Sequence, residues 1–97
     1  MEYKDTIEID NGQHLALIDV AGNKSIPIDE ANSNIVCVDK NSNIIWRISV
    51  PKGTYERDSF VTLNKESDGK ITARRFFGNT YTINLSTGEA SQSGWQK

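Results

Sequence analysis

The part of this sequence that most constrains the fold is the stretch of residues 70–90, KITARRFFGNTYTINLSTGEA. Apolar and polar residues alternate in it, as they do in β-strands that bury one face. Residues 78–79 and 86–88 interrupt the alternation with glycine and small polar residues, which are typical of tight turns. Together with an Asp-Gly turn at residues 68–69, the stretch predicts three consecutive antiparallel strands and therefore an all-β protein.

The rest of the chain carries further strand patterns, separated by residues typical of turns. The predicted strands comprise residues 6–10, 14–20, 35–39, 44–50, 59–66, 70–77 and 80–85, and the tail 91–97 either adds an eighth strand or only docks its indole. No segment of ten or more residues has apolar positions at helical spacing. We therefore predict a single domain over residues 1–97, an antiparallel β-sandwich or small barrel of seven or eight strands.

The turns of the last three strands predict which of their side chains enter the core. Two-residue turns at residues 68–69 and 78–79 would make one face apolar and the other a mixture of rings and a cation, which suits recognition of a partner. The core face would hold Val61, Leu63, Phe76, Tyr81, Ile83, Leu85 and also Arg74. The half-exposed face would hold Phe60, Thr62, Ala73, Arg75, Phe77 and Thr82. Because an unpaired buried guanidinium is costly, we expect Arg74 to reach an acid or the sheet edge, or to be displaced by a bulge.

The strands at residues 35–39 and 44–50 are apolar on both faces. The first hairpin differs, because a three-residue loop at residues 10–12 would pair Ile7 with Leu15 and the outward Glu8 with His14. The doubly apolar pair either lies centrally between two layers or exposes one face that binds another molecule. The predicted core positions are Cys37, Trp46, Ile48, Leu63, Tyr81 and Ile83.

The sequence predicts a cytoplasmic protein with no membrane contact. Its first ten residues contain no apolar run suited to a secretory signal, and no stretch approaches the roughly 20 apolar residues of a membrane span. Cys37 is the only cysteine, so no disulfide forms within the chain.

The net charge of −2 hides an uneven distribution. Residues 1–40 hold eight acids and three bases, a net charge of −5, whereas residues 41–97 hold five acids and eight bases, a net charge of +3. An acidic face would attract a basic partner; the alternative is that these charges only solvate the surface. Direct binding of nucleic acid is disfavoured, because phosphate contacts demand a more strongly positive region.

The residues that carry chemistry do not form a catalytic, metal or cofactor motif. His14 is the only histidine, and neither metal-ligand spacing nor a nucleophile motif is present. We therefore expect no enzymatic activity, no cofactor and no metal. The candidate partner-binding residues are Asp10, Asp29, Glu30 and Asp39 at turns and strand ends, and Tyr55, Arg75 and Phe77 as interface anchors.

Two segments resemble the strand–turn–strand signature of β-propeller blades, especially quinoprotein-type repeats. They are residues 38–46, VDKNSNIIW, and residues 83–89, INLSTGE. A propeller requires about four blades of four strands, and 97 residues supply two at most. Asn43 also stands where the repeat has glycine, and Trp95 comes several residues too late after Gly88, so no quinone site carries over.

Residues 34–90, with their aromatic-Gly-Asn-Thr-Tyr hairpin, are similar to the all-β immunity proteins of bacterial contact-dependent growth inhibition and other polymorphic toxin systems. This resemblance implies a non-catalytic, cytoplasmic protein that binds one cognate toxin domain, often a basic nuclease, and blocks its active site. The alternative is a small scaffold or carbohydrate-type binding module, with Tyr55, Phe77 and Trp95 as a stacking platform.

Overall fold

The computed structural model describes residues 3–20, 24–50 and 57–95. These residues form two four-stranded antiparallel sheets. The first sheet has the spatial order β1 (Tyr3–Glu8), β2 (His14–Ile18), β3 (Ile35–Val38) and β4 (Ile44–Arg47). The second has the order β5 (Phe60–Lys65), β6 (Ile71–Arg75), β7 (Asn79–Ile83) and β8 (Ala90–Trp95). A 3-10 turn, Asp10–Gly12, and one α-helical turn, α1 (Ile28–Ala31), complete the described elements. The predicted all-β, sandwich-like fold is confirmed, with the eighth strand in the tail.

In each sheet, strands that are consecutive in the sequence lie side by side and antiparallel, so every second connection lies at the same end of the sheet. Residues of the β1–β2 turn and of the β7–β8 turn line one cleft, so these two turns lie at the same end of the molecule. The β3–β4 turn lies at that end too, because it is on the same side of the first sheet as the β1–β2 turn. We call this the turn end. The opposite end, the α1 end, holds α1 and the β6–β7 turn. There the N–H of Phe77 donates to the Asp58 carboxylate (3.1 Å), and the N–H of Asp58 donates to Asn32 Oδ1 (2.7 Å).

The first hairpin has the predicted three-residue loop. The N–H of Ile9 donates to the carbonyl of Gln13 (3.0 Å), and Gly12 closes the loop with a φ of +73°, a conformation that glycine adopts without steric cost. Ile7 pairs with Leu15, and Glu8 pairs with His14. The prediction for this hairpin is confirmed.

Strand β6 faces the opposite way from the prediction. Its two turns have three residues each, 67–69 and 76–78, and the glycine that ends each turn has a φ of +90° or +106°. The pairing of β6 with both neighbours is therefore shifted by an odd number of residues, which exchanges the two faces of a strand. An irregularity between Phe60 and Thr62 also turns Phe60 inward. The predicted faces of five residues were wrong: Phe60, Ala73 and Arg75 are buried, whereas Arg74 and Phe76 are not.

The two sheets pack face to face around one apolar cluster. The first sheet and the segment after it contribute Leu15, Leu17, Ile35, Cys37 and Ile48, and the second sheet contributes Phe60, Leu63, Ile71, Ala73, Tyr81, Ile83 and Ala90. Five of the six predicted core residues are buried here, and Trp46 packs against the cluster while partly buried. The core prediction is therefore confirmed for those five.

The outer face of the first sheet is covered by the connection between β2 and β3. A second apolar cluster joins Ala31 of α1 and Val20 to the outward side chains of β2 and β3, with Ile26 packed against it. Strand β3 is thus buried on both faces, which is the central position predicted as one of two alternatives. Strand β4 is different, because it lies at the sheet edge and leaves Ile44 and Ile45 exposed.

A buried asparagine connects the two sheets. The side-chain amide of Asn34 donates to the carbonyls of Ile18 (3.0 Å) and Phe60 (2.9 Å), and its Oδ1 accepts the N–H of Phe60 (2.9 Å). Ile18 ends β2 and Phe60 begins β5, so one side chain satisfies backbone groups of both sheets in a place that water does not reach.

Replacement of this asparagine should weaken the whole fold. We expect Asn34→Ala to lower the free energy of unfolding by about 2–4 kcal/mol, because each buried polar group left unpaired costs about 1–3 kcal/mol. The matched control is Asn64→Ala on the exposed part of β5, which should stay within about 0.5 kcal/mol of the parent protein. Urea unfolding measures both variants, and equal midpoints would contradict the role assigned to Asn34.

Candidate functional site

A cleft opens between the two sheets at the turn end. It has a volume of about 290 Å³. Its lining residues are the apolar Ile9, Ile45, Trp46 and Leu85 and the polar Asp10, Asn11, Gln13 and Ser86. Small-molecule sites usually measure roughly 300–1,000 Å³, so this cleft has the size for one or two side chains of another molecule.

Trp46 spans the gap between the sheets and forms part of this lining. Its indole Nε1–H donates to the carbonyl of Leu85 (3.1 Å). Its ring lies so close to Gly88 that a Cβ atom at that position would be 2.5 Å from Cε3 of the indole. The backbone of Ser49, just beyond β4, extends the connection: its N–H donates to the Gly88 carbonyl (2.9 Å), and its carbonyl accepts the N–H of Ala90 (2.8 Å). The indole is therefore held in place by the β7–β8 turn of the opposite sheet.

Asp10 and Asp39 lie on neighbouring turns at this end, but their carboxylates are used differently. The Asp10 side chain is exposed and makes no hydrogen bond or ion pair with the described residues. The Asp39 carboxylate accepts the N–H groups of Asn41 and Asn43, each at 2.9 Å. Hydrogen bonds from Asn43 and then Asn41 hold the pKa of Asp39 below its usual range. Asp39 therefore shapes its own turn, whereas the Asp10 charge is available to a partner.

The predicted acidic residues do not form one group. Asp29 and Glu30 are exposed on α1, in the connection at the other end of the first sheet from Asp10 and Asp39. The carbonyl of Glu30 accepts a hydrogen bond from Arg47 of β4 (3.1 Å), which holds α1 against the sheet. The expectation of a single acidic side is therefore wrong, because the β2–β3 connection carries two of the acids away from the turns.

Arg75 is not the surface anchor that the sequence predicted. Its side chain is 2% exposed, and its Nη1 donates to the Tyr81 hydroxyl (3.2 Å). The guanidinium carbon lies 5.2 Å from the ring centre of Phe60 and 5.1 Å from that of Tyr81. Contact with two ring faces offsets part of the cost of burying the cation. The prediction for Arg75 was wrong because of the β6 register: its side chain packs inside the core and is not exposed to a partner.

Of the other two predicted anchors, Phe77 lies at the α1 end. Phe77 is 42% exposed on the β6–β7 turn, and its ring meets that of Phe76, which is 68% exposed, edge to face with the ring centres 5.2 Å apart. Tyr55 lies outside the described residues. The structure therefore does not bring Phe77 to the cleft that Asp10 borders.

Reactive side chains of the described residues are spread out. No group of three or more histidine, cysteine or acidic residues lies close enough to hold a metal ion in the part of the chain that the structure describes. Burial, and then the charge of Asp39, raises the pKa of the Cys37 thiol, which agrees with its prediction as a small core residue. Among the described elements, no helix has the length and apolar character needed to cross a membrane.

Sequence reasoning found only one residue of this cleft, Asp10, as a binding residue. The others come from the same hairpin loop, from strand β4 and from the β7–β8 turn, and these three segments meet only when the two sheets pack. A signal was nevertheless present, because Trp46 and Gly88 belong to the two segments with the blade-like pattern. Their contact follows from that pattern only once the relative position of the sheets is known.

The contact between Trp46 and Gly88 predicts unequal effects of two glycine substitutions. Gly69 and Gly88 both have a positive φ, so alanine at either position costs about 1–2 kcal/mol. A Cβ at Gly69 meets nothing within 4 Å, whereas one at Gly88 meets the indole. Gly88→Ala should therefore cost about 1–3 kcal/mol more than Gly69→Ala in urea unfolding. Gly88→Ala should also shift the NMR signal of Trp46 Nε1–H. If both variants lost the same unfolding free energy, the prediction would be contradicted, because the indole would then move aside without cost.

The depressed pKa of Asp39 predicts a stability that depends on pH. The ionised carboxylate stabilises the fold above the unfolded-state pKa of about 3.9, and this contribution is lost as the pH falls through the lower folded-state pKa. The difference in unfolding free energy between the parent and Asp39→Ala should stay constant from pH 7 to pH 5 and shrink below about pH 4. The unfolding free energies of Asp39→Asn and Asp39→Ala should differ by the same amount at every pH, because neither variant has a carboxylate at this position. A parent–alanine difference that does not change with pH would contradict the prediction.

Comparison with known proteins gives the family of this chain. No curated protein sequence and no solved structure matches it significantly. One family model, described as "Domain of unknown function (DUF7957)", matches residues 2–95. Because these residues are nearly the whole sequence, the chain belongs to the DUF7957 family.

Proposed function

We propose that this protein is a non-catalytic binding protein of the immunity type, which binds a cognate toxin domain in the cytoplasm and blocks its active site through the turn end. The observation that carries the proposal is the apolar surface beside the cleft. Ile44 is 50% exposed and Ile45 is 46% exposed, on the edge strand β4. Adjacent apolar residues on a sheet edge are unfavourable in water and favour self-association, so they are expected where a partner covers them.

The charge at this end supports a basic partner. Asp10 presents an exposed carboxylate at the cleft, and this carboxylate makes no hydrogen bond or ion pair with the other described residues. Complementary charge speeds the encounter of two proteins and rejects partners of like charge. A nuclease domain, whose substrate is an anion, is the kind of basic protein that fits this surface.

The binding surface can be tested with two matched pairs of substitutions. Ile44→Ser with Ile45→Ser removes the exposed apolar pair at the turn end, and Phe76→Ser with Phe77→Ser removes the exposed pair at the α1 end. We expect only the isoleucine variant to weaken binding of the protein encoded by the neighbouring gene, by at least about tenfold. Surface plasmon resonance measures the affinity, and circular dichroism checks that both variants are folded.

Two results would contradict the proposal. Failure of the parent protein to bind or inhibit the product of the neighbouring gene would argue against the immunity function. Loss of binding in the phenylalanine variant alone would keep the function but move the interface to the α1 end.

The Phe76–Phe77 pair favours the alternative function, a carbohydrate-type binding module. Both rings are exposed and meet edge to face, so they offer aromatic surface on which the apolar face of a sugar could stack. Binding on a glycan array that is lost in the phenylalanine variant and kept in the isoleucine variant would support this alternative.

A further inference from the structure

The chemistry of the cleft at the turn end specifies what kind of group it accepts. We infer that it binds one arginine side chain of the partner, whose stem lies along Ile9 and Leu85 and whose guanidinium stacks on Trp46 and meets the carboxylate of Asp10. The inference rests on the proposed function, because it identifies the group that the toxin domain inserts.

The size and lining of the cleft favour a long side chain with an apolar stem. A volume of about 290 Å³ holds such a side chain but is small for a cofactor. Ile9, Trp46 and Leu85 supply an apolar wall from both sheets, next to the polar Asn11 and Ser86. Arginine and lysine are the residues that bury methylene groups along an apolar surface while a charged head stays near water.

The charge of the cleft selects a cation. Among the described residues that line it, Asp10 alone carries a formal charge. Its carboxylate has no partner in the described chain and is not held in its own turn, unlike that of Asp39. The nearest base on the neighbouring turn, Lys40, lies beside Gly12 and does not line the cleft. An entering cation therefore meets an acceptor that needs no rearrangement.

The indole favours arginine over lysine. Trp46 is held by the Leu85 carbonyl and by Gly88, so its ring is fixed before a partner arrives. A planar guanidinium stacks on such a ring and still donates to a carboxylate, whereas an ammonium is a strongly hydrated point charge. Preorganisation of the ring lowers the entropy lost on binding.

A titration with small probes tests the inference without the toxin. N-acetyl-arginine methylamide is added to ¹⁵N-labelled protein, and the neutral, isosteric citrulline compound and the lysine compound are the comparisons. We expect saturable shifts of the Ile9 and Leu85 amides and of Trp46 Nε1–H. The Asn79 amide serves as the internal reference, because Asn79 begins β7 next to the β6–β7 turn at the α1 end. Citrulline should bind about fivefold more weakly, the upper range for an exposed ion pair, and lysine should lie between the two.

Two variants with the same change of charge complete the experiment. Asp10→Asn should reduce arginine binding to the level of citrulline, and Asp29→Asn on α1 should leave it unchanged. Equal binding of arginine and citrulline, no saturable binding, or shifts centred on α1 would each overturn the inference.

The outcome is separable from that of the proposed function. If Asp10→Asn binds the toxin domain with the affinity of the parent, the arginine site is wrong while the immunity function stands. If arginine binds at the cleft but the neighbouring gene product does not bind, the site stands and the function is wrong.

Discussion

The hydrogen bonds of the buried Asn34 amide are the constraint on which the arrangement of the two sheets depends. The side chain occupies the place of a strand partner: it donates to carbonyls of both sheets and accepts the N–H of Phe60. A buried amide that lost these bonds would be strongly unfavourable, so the sheets have little freedom to slide past each other. This position also sets Phe60 over the guanidinium of Arg75, where the ring helps to compensate a buried cation.

Trp46 provides a second connection toward the turn end. Its N–H bond to Leu85 and its contact with Gly88 join β4 to the β7–β8 turn. Two connections separated along the strands fix both the distance and the angle between the sheets. The cleft beside Trp46 is therefore a preformed cavity, and a partner would bind to it with little reorganisation.

The fold determines where the predicted acidic binding residues lie relative to one another. The four acids predicted to bind a partner divide between the two ends of the first sheet, and the Asp39 carboxylate is bonded within its own turn. Of the four acids predicted to bind a partner, Asp10 is the one that borders the cleft. The proposed interface is for this reason a small acidic and apolar surface at the turn end instead of a broad acidic face.

The sequence by itself determined the strands, the first hairpin and most of the core, because alternation and glycine-containing turns act between residues close in the chain. It did not determine the face of β6. The local sequence around Gly78 is compatible with a turn of two residues or of three. The length of this turn determines whether Ala73 or Arg74 faces the first sheet, and the packing of the two sheets favours the smaller, apolar Ala73. The contact of Trp46 with Gly88 and the separation of Asp10 from Asp29 were likewise decided by tertiary structure. Both depend on how two sheets pack and where a long connection crosses, and the energy of such contacts arises only between residues distant in the chain.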